Sequence, residues 1–240
     1  MINAAHLLPL CFSLVSVCAL MAGEVLADGS AIGQIYAPYV QPLERELELL
    51  WLDENRKGGV IPSNSLSKLG FGTSLFAGVY TEISMASIEI DGEQTQQVEL
   101  EGIWQVTEQG EYSSDWGMLL EAETNLDSDI SEFSVGVLNQ KDWGKISLLT
   151  NVVASYEWGD DIVSEFETRL GMQARYRLRP TFEPMIEFFQ GQDTTALGVG
   201  AGGLIKLSPG RQLRWGVSAL KGLNPELEDA IKLELEYEFF

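Results

Sequence analysis

Thiol and imidazole are almost missing from this chain: Cys11, Cys18 and His6 are its whole complement, and all three fall within the first 27 residues. If that segment is removed, no disulfide, thiolate or histidine chemistry remains, which excludes cysteine and histidine nucleophile systems and thiolate metal sites. Positive charge is scarce too, with 15 Lys and Arg against 36 Asp and Glu and a formal net charge of −21. Nucleic-acid binding needs a basic surface, so no nucleic-acid partner is expected. Long apolar runs are absent after the N-terminus although 45 % of the residues are apolar. A membrane-crossing helix needs about 20 consecutive apolar residues, so any crossing must be made by strands.

The N-terminus is the exception. An apolar stretch from Leu7 to Ala22 is followed by Val25-Leu26-Ala27, a small-residue cleavage pattern just before Asp28. This reads as a secretory signal peptide, cleaved after Ala27. At roughly 16 residues the stretch is short for an anchor, and Val17 before Cys18 does not suit a lipoprotein signal. Loss of Glu24 with the signal leaves 35 acids against 15 bases, a net charge of −20.

Period-two alternation dominates the remainder of the chain. From Ala230 onward, Ile231, Leu233, Leu235, Tyr237 and Phe239 alternate with Lys232, Glu234, Glu236 and Glu238. One face is apolar and the other charged, the signature of a strand with apolar contact on one side. The pattern recurs in twelve segments separated by turn signals, beginning at Leu43–Leu52, with a hinge at Thr73-Ser74 and a fourth segment from Gln97. It predicts an all-β, closed antiparallel transmembrane β-barrel of about 12 strands, 10 or 14 also being compatible. Residues 28–42 are expected to form a periplasmic tail, and residues 43–240 the barrel. An even count places both termini on the periplasmic side. Aromatics near the ends of apolar faces, among them Trp51, Trp104, Trp116, Tyr156, Trp158, Tyr176, Phe182, Trp215, Tyr237 and Phe239, suit interfacial girdles.

The terminal run Leu233-Glu234-Leu235-Glu236-Tyr237-Glu238-Phe239-Phe240 resembles the C-terminal signature of the Gram-negative outer-membrane β-barrel superfamily. The resemblance implies location in the outer membrane, contact with its lipid and lipopolysaccharide, and recognition by the barrel-assembly machinery during insertion. The apolar phase falls on Phe239, with Phe240 one position out of register. Pro42-Leu43-Glu44-Arg45-Glu46-Leu47-Glu48 is similar to the opening of small proteobacterial barrels that carry no assigned activity.

With the apolar phase turned to lipid, the expected lumen lining is Glu44, Glu46, Glu48, Glu99, Glu101, Asp115, Glu121, Glu123, Glu165, Glu167, Arg169, Arg175, Arg214, Lys232, Glu234 and Glu236. Glu82, Glu132, Glu183, Glu187, Glu238, Lys68 and Lys145 share that phase, and Gly198, Gly200 and Gly202 leave room along the tenth strand. The acid excess suggests a small passive channel favouring cations or positively charged solutes. The alternative is a non-conducting structural or partner-binding barrel whose lumen is filled by paired side chains; a soluble periplasmic β-protein is a third reading. Twelve-stranded channels for acidic sugars line their lumens with basic tracks, the reverse of this sequence, and barrel phospholipases use a histidine with a serine. Carboxylate pairs such as Glu121 and Glu123 are what alternation repeatedly produces, so no catalytic residue is expected. Asp127-Ser128-Asp129 and Gly159-Asp160-Asp161 lack the spacing of a calcium loop, and neither a metal site nor a cofactor is expected.

Overall fold

The computed structural model describes residues 31–56, 64–90, 92–160, 162–224 and 227–240. The expected signal peptide lies outside the described residues. Alternation is realised as twelve strands: β1 (Arg45–Arg56), β2 (Asn64–Phe76), β3 (Val79–Ile90), β4 (Glu93–Gln105), β5 (Asp115–Asn125) and β6 (Ser131–Trp143), then β7 (Ile146–Trp158), β8 (Glu165–Tyr176), β9 (Glu183–Gln190), β10 (Thr195–Ser208), β11 (Arg211–Gly222) and β12 (Leu227–Phe239). Each strand pairs antiparallel with the next, and β12 returns to β1, so the barrel closes. Closure pairs the backbone groups of every strand on both sides, the condition for a sheet surrounded by hydrocarbon.

Three local expectations are corrected. The hinge at Thr73-Ser74 falls instead at Ala77-Gly78, because β2 runs on through Phe76 and Gly78 supplies the φ of 78° that reverses the chain. β4 begins at Glu93 rather than Gln97: Glu93–Gln96 pair with Ser87–Ile90, and a backbone ladder needs no apolar alternation to form. Lys145 sits exposed in the turn between β6 and β7, outside the lumen.

The outward face carries Leu69, Phe71, Ile83, Met85, Leu100, Val137, Val199 and Ile231, all exposed. An apolar belt of this extent is unsuited to water and suited to lipid. Except for β9, with 8 residues, the strands have 11–14 residues, sufficient for a tilted strand that needs about 9–11 to cross. Tyr156 and Trp158 stack at 5.9 Å near the barrel end at which β7 ends and β8 begins, here termed the rim end. Tyr237 and Phe239 pack at 5.8 Å near the opposite, closing end. Phe239 is the last paired residue, joined to Arg45 and Arg211; Phe240 lies beyond it and donates its N–H to Gly210 O at 3.0 Å.

The periplasmic placement of residues 28–42 is corrected over its described part. Residues 31–42 run extended along the inside of the barrel. Ala31 lies against Gly191 at the rim end, Ile35 against Gly171 of β8, Pro38 against Gly117 of β5, and Gln41 near Glu238 at the closing end. The reason is chemical: residues 29–43 carry no charge, and Ile32, Ile35 and Val40 find inward apolar partners. Ile32 and Ile35 join Leu52, Leu149, Phe189 and Leu220 in one buried cluster, and Val40 joins Tyr80, Ile103, Leu119, Leu138 and Val153 in another. Burial of each such side chain contributes roughly 1.5–3 kcal/mol. Gly117 lets the strap lie close to β5, since a Cβ there would stand 3.0 Å from Pro38 Cβ and push it back. A turn at Pro42-Leu43, closed by Glu44 N–H to Gln41 O at 3.3 Å, then reverses the strap into β1. Leu43 takes a φ of 64° there, the geometry of a turn with proline at its second position.

Candidate functional site

Alternation turns every second side chain of each strand into the lumen, and Glu46 and Glu48 of β1, Glu99 and Glu101 of β4, and Asp115, Glu121 and Glu123 of β5 occupy such positions. So do Glu165, Glu167, Arg169 and Arg175 of β8, Arg214 of β11, and Lys232, Glu234 and Glu236 of β12; Glu44 precedes β1 in the same phase. They form separate groups, because the strap divides the space between them.

At the rim end a cavity of about 880 Å³ lies between the strap and the wall. Glu54, Glu99, Glu121, Glu123, Glu132, Glu157 and Glu165 face it, against Lys68 and Arg169. Arg169 Nη2 meets Glu121 Oε2 at 2.5 Å, and Lys68 Nζ meets Glu99 Oε1 at 3.1 Å with Glu101 Oε2 at 3.8 Å. Among the described residues, seven carboxylates face this space against two cations, an excess of negative charge that favours cations.

Midway, the strap is held to the wall. Tyr36 N–H donates to Asn151 Oδ1 at 2.6 Å, and Asn151 Nδ2 donates to Tyr36 O at 2.9 Å. The side-chain amide stands in for a neighbouring strand. Gln34 Nε2 donates to Glu48 Oε2 at 2.7 Å, and Lys232 Nζ donates to Gly33 O at 3.1 Å. Substituting Asn151→Ala strands two backbone groups of Tyr36, and we expect the urea midpoint of the folded, heat-modifiable band to fall by the equivalent of about 2 kcal/mol.

Toward the closing end the lumen is filled. Tyr39 donates its hydroxyl to Asp115 Oδ2 at 2.6 Å, and Val40 N–H donates to Gln105 Oε1 at 3.0 Å. Arg214 bridges Glu236 at 2.8 Å and Glu238 at 3.0 Å. The room expected beside Gly198 and Gly200 is taken: Leu220 lies over the first, and Ser218 with Met185 over the second. Large side chains from the adjacent strands lean into the space that the glycines vacate.

The architecture has counterparts among solved structures. An outer membrane channel from Pseudomonas putida F1 superposes with a TM-score of 0.56 over 84 % of this chain and 96 % of its own, at 11 % identity. The KdgM porin in complex with disordered oligogalacturonate gives 0.52 over 80 % and 98 %, at 8 % identity. This is the fold of outer-membrane β-barrels. The translocator domain of the autotransporter NalP from Neisseria meningitidis gives 0.51 over 99 % and 96 %, at 11 % identity. No protein family and no curated protein matches the chain in sequence.

Within that fold, this barrel carries an acidic rim cavity and a luminal strap. Strap residues Gln34, Tyr36, Tyr39 and Val40, and inward apolar residues such as Leu52, Leu119 and Phe189, are absent from the expected lining. The uncharged stretch of residues 29–43 in an acidic chain was the signal available for the first set. The second set breaks the charged-inward rule, and only its strap partners explain it.

Proposed function

We propose that the protein is an outer-membrane barrel that passes cations or positively charged solutes, entered through the acidic rim cavity and narrowed by residues 31–42. The observation that carries this reading is the charge around that cavity, seven carboxylates against two cations among the described residues. Such a wall raises the local concentration of cations and excludes anions at the mouth. It is the opposite of what an acidic oligosaccharide such as the one held by KdgM would need.

The decisive measurement is a reversal potential in planar bilayers under a KCl gradient, with the intact chain and with a variant lacking residues 31–41. Cation selectivity is expected in both, reduced when Glu123→Gln and Glu165→Gln are combined. Anion selectivity would overturn the reading. Absence of discrete steps in both proteins would favour a non-conducting barrel, the reading supported by the strap's hydrogen bonds to Asn151, Glu48 and Lys232.

A further inference from the structure

The side-chain cluster at Glu46, Glu48 and Glu82 lies deeper than the rim cavity and outside its lining. Its origin is a gap in β2. In the sheet register Glu46 pairs with Gly72 and Gly72 pairs with Glu82, while Glu48 pairs with Gly70 in the adjacent row. Two strands apart, side chains on β1 and β3 start about 10 Å from one another. With no side chain from β2 in either row, they reach across: Glu82 Oε1 lies directly over Gly70, in the space a Cβ would occupy, and Tyr80 lies over Gly72. The three residues bring carboxylate oxygens within 4.8 Å of one another.

Their partners do not balance them. Glu48 is 4 % exposed and Glu82 is 3 % exposed, and Glu48 Oε1 and Glu82 Oε1 are buried without a hydrogen-bond donor. Glu48 Oε2 takes a neutral amide N–H from Gln34, and the Tyr80 hydroxyl, with one proton to give, contacts both Glu46 and Glu82. Lys68 Nζ is 3.9 Å from Glu82 Oε1 but stands closer to Glu99, at 3.1 Å. Oxygens that are buried, close together and short of donors are relieved either by a proton or by a cation, and the convergence of three carboxylates on one point suits a cation.

We propose that Glu46, Glu48 and Glu82 bind one hard divalent cation of calcium type inside the barrel. An all-oxygen set of carboxylates suits such an ion, whereas softer metals favour nitrogen or sulfur ligands. Gln34 ties the site to the strap through Glu48, so the bound ion stiffens the contact between strap and β1. The site is independent of conduction, and a barrel that passes no current still binds the ion.

The test uses refolded, chelator-treated protein titrated with Ca2+ by calorimetry and with Tb3+ by luminescence excited through Tyr80. One saturable ion is expected, with Ca2+ displacing Tb3+. Combining Glu48→Gln with Glu82→Gln should weaken it roughly ten- to hundredfold, in protein that still shows heat-modifiable gel mobility. Tyr80→Phe should cut the sensitised emission while calorimetric Ca2+ affinity stays within about threefold, and this reports the location even if the double variant does not fold. No saturable ion in the unaltered protein would overturn the proposal. So would affinity that survives the double substitution, or affinity lost through Glu123→Gln with Glu165→Gln instead.

Discussion

A barrel lacking residues 31–41 is expected to conduct roughly three- to tenfold more current per channel than the intact chain, because a twelve-stranded wall without its plug lies between filled eight-stranded barrels and open sixteen-stranded ones. The strap contributes no strand to the ladder, so every β-pairing from β1 to β12 survives its removal. What it does contribute is filling. Ile32, Ile35 and Val40 pack inside the lumen against the wall, and Tyr39 and Gln41 approach Asp115 and Glu238 at the closing end. Gly117→Val probes the same point more mildly, since even a Cβ there would stand 3.0 Å from Pro38 Cβ and press the strap away from β5. Single-channel recording of the two variants, folded by the criterion of gel mobility, makes the check. Conductance unchanged from the intact chain in both would show that the strap does not limit passage.

The second large effect concerns stability. Lys232 is 1 % exposed and Glu187 0 %. Lys232 Nζ lies 3.1 Å from Glu187 Oε1, 3.0 Å from Glu234 Oε1 and 3.1 Å from Gly33 O, and 4.9 Å from the centre of the Phe189 ring. Replacing it by methionine retains much of its volume and removes the only cation these two carboxylates meet within 4.0 Å among the described residues. Breaking a buried pair in this way costs about 3–5 kcal/mol, because the remaining charges are desolvated and unopposed. Urea unfolding in lipid vesicles should show this loss for Lys232→Met. Adding Glu187→Gln and Glu234→Gln should restore most of it, and a single substitution that leaves the midpoint unchanged would refute the assignment. The exposed pair of Arg177 with Asp142, at 2.8 Å, offers the contrast. Its loss should change stability by less than about 1 kcal/mol, since water already solvates both partners.

The wall of the barrel and its filling differ in how far each is written along the chain. Strand count and facing were legible there: Glu234, Glu236 and Lys232 alternate with Leu233, Leu235 and Ile231 whatever surrounds them, and a period of two allows only one assignment of faces once one is apolar. Turn positions were less so. A run such as Leu66–Ile90 stays amphipathic through its reversal, and the reversal at Gly78 is decided by backbone geometry that hydrophobicity does not record.

By itself, then, the sequence determined an amphipathic sheet of about twelve strands with its acids on one face, because side-chain alternation is a local property of an extended chain. Only the tertiary structure decided what fills the space that the sheet encloses. Residues 31–42 could lie in the lumen only once Leu52, Leu119, Leu149 and Phe189, from strands far apart in sequence, were brought to face them. Glu46, Glu48 and Glu82 likewise converge only because Gly70 and Gly72 stand between them in the closed register. Both depend on cross-strand proximity, which no linear pattern encodes.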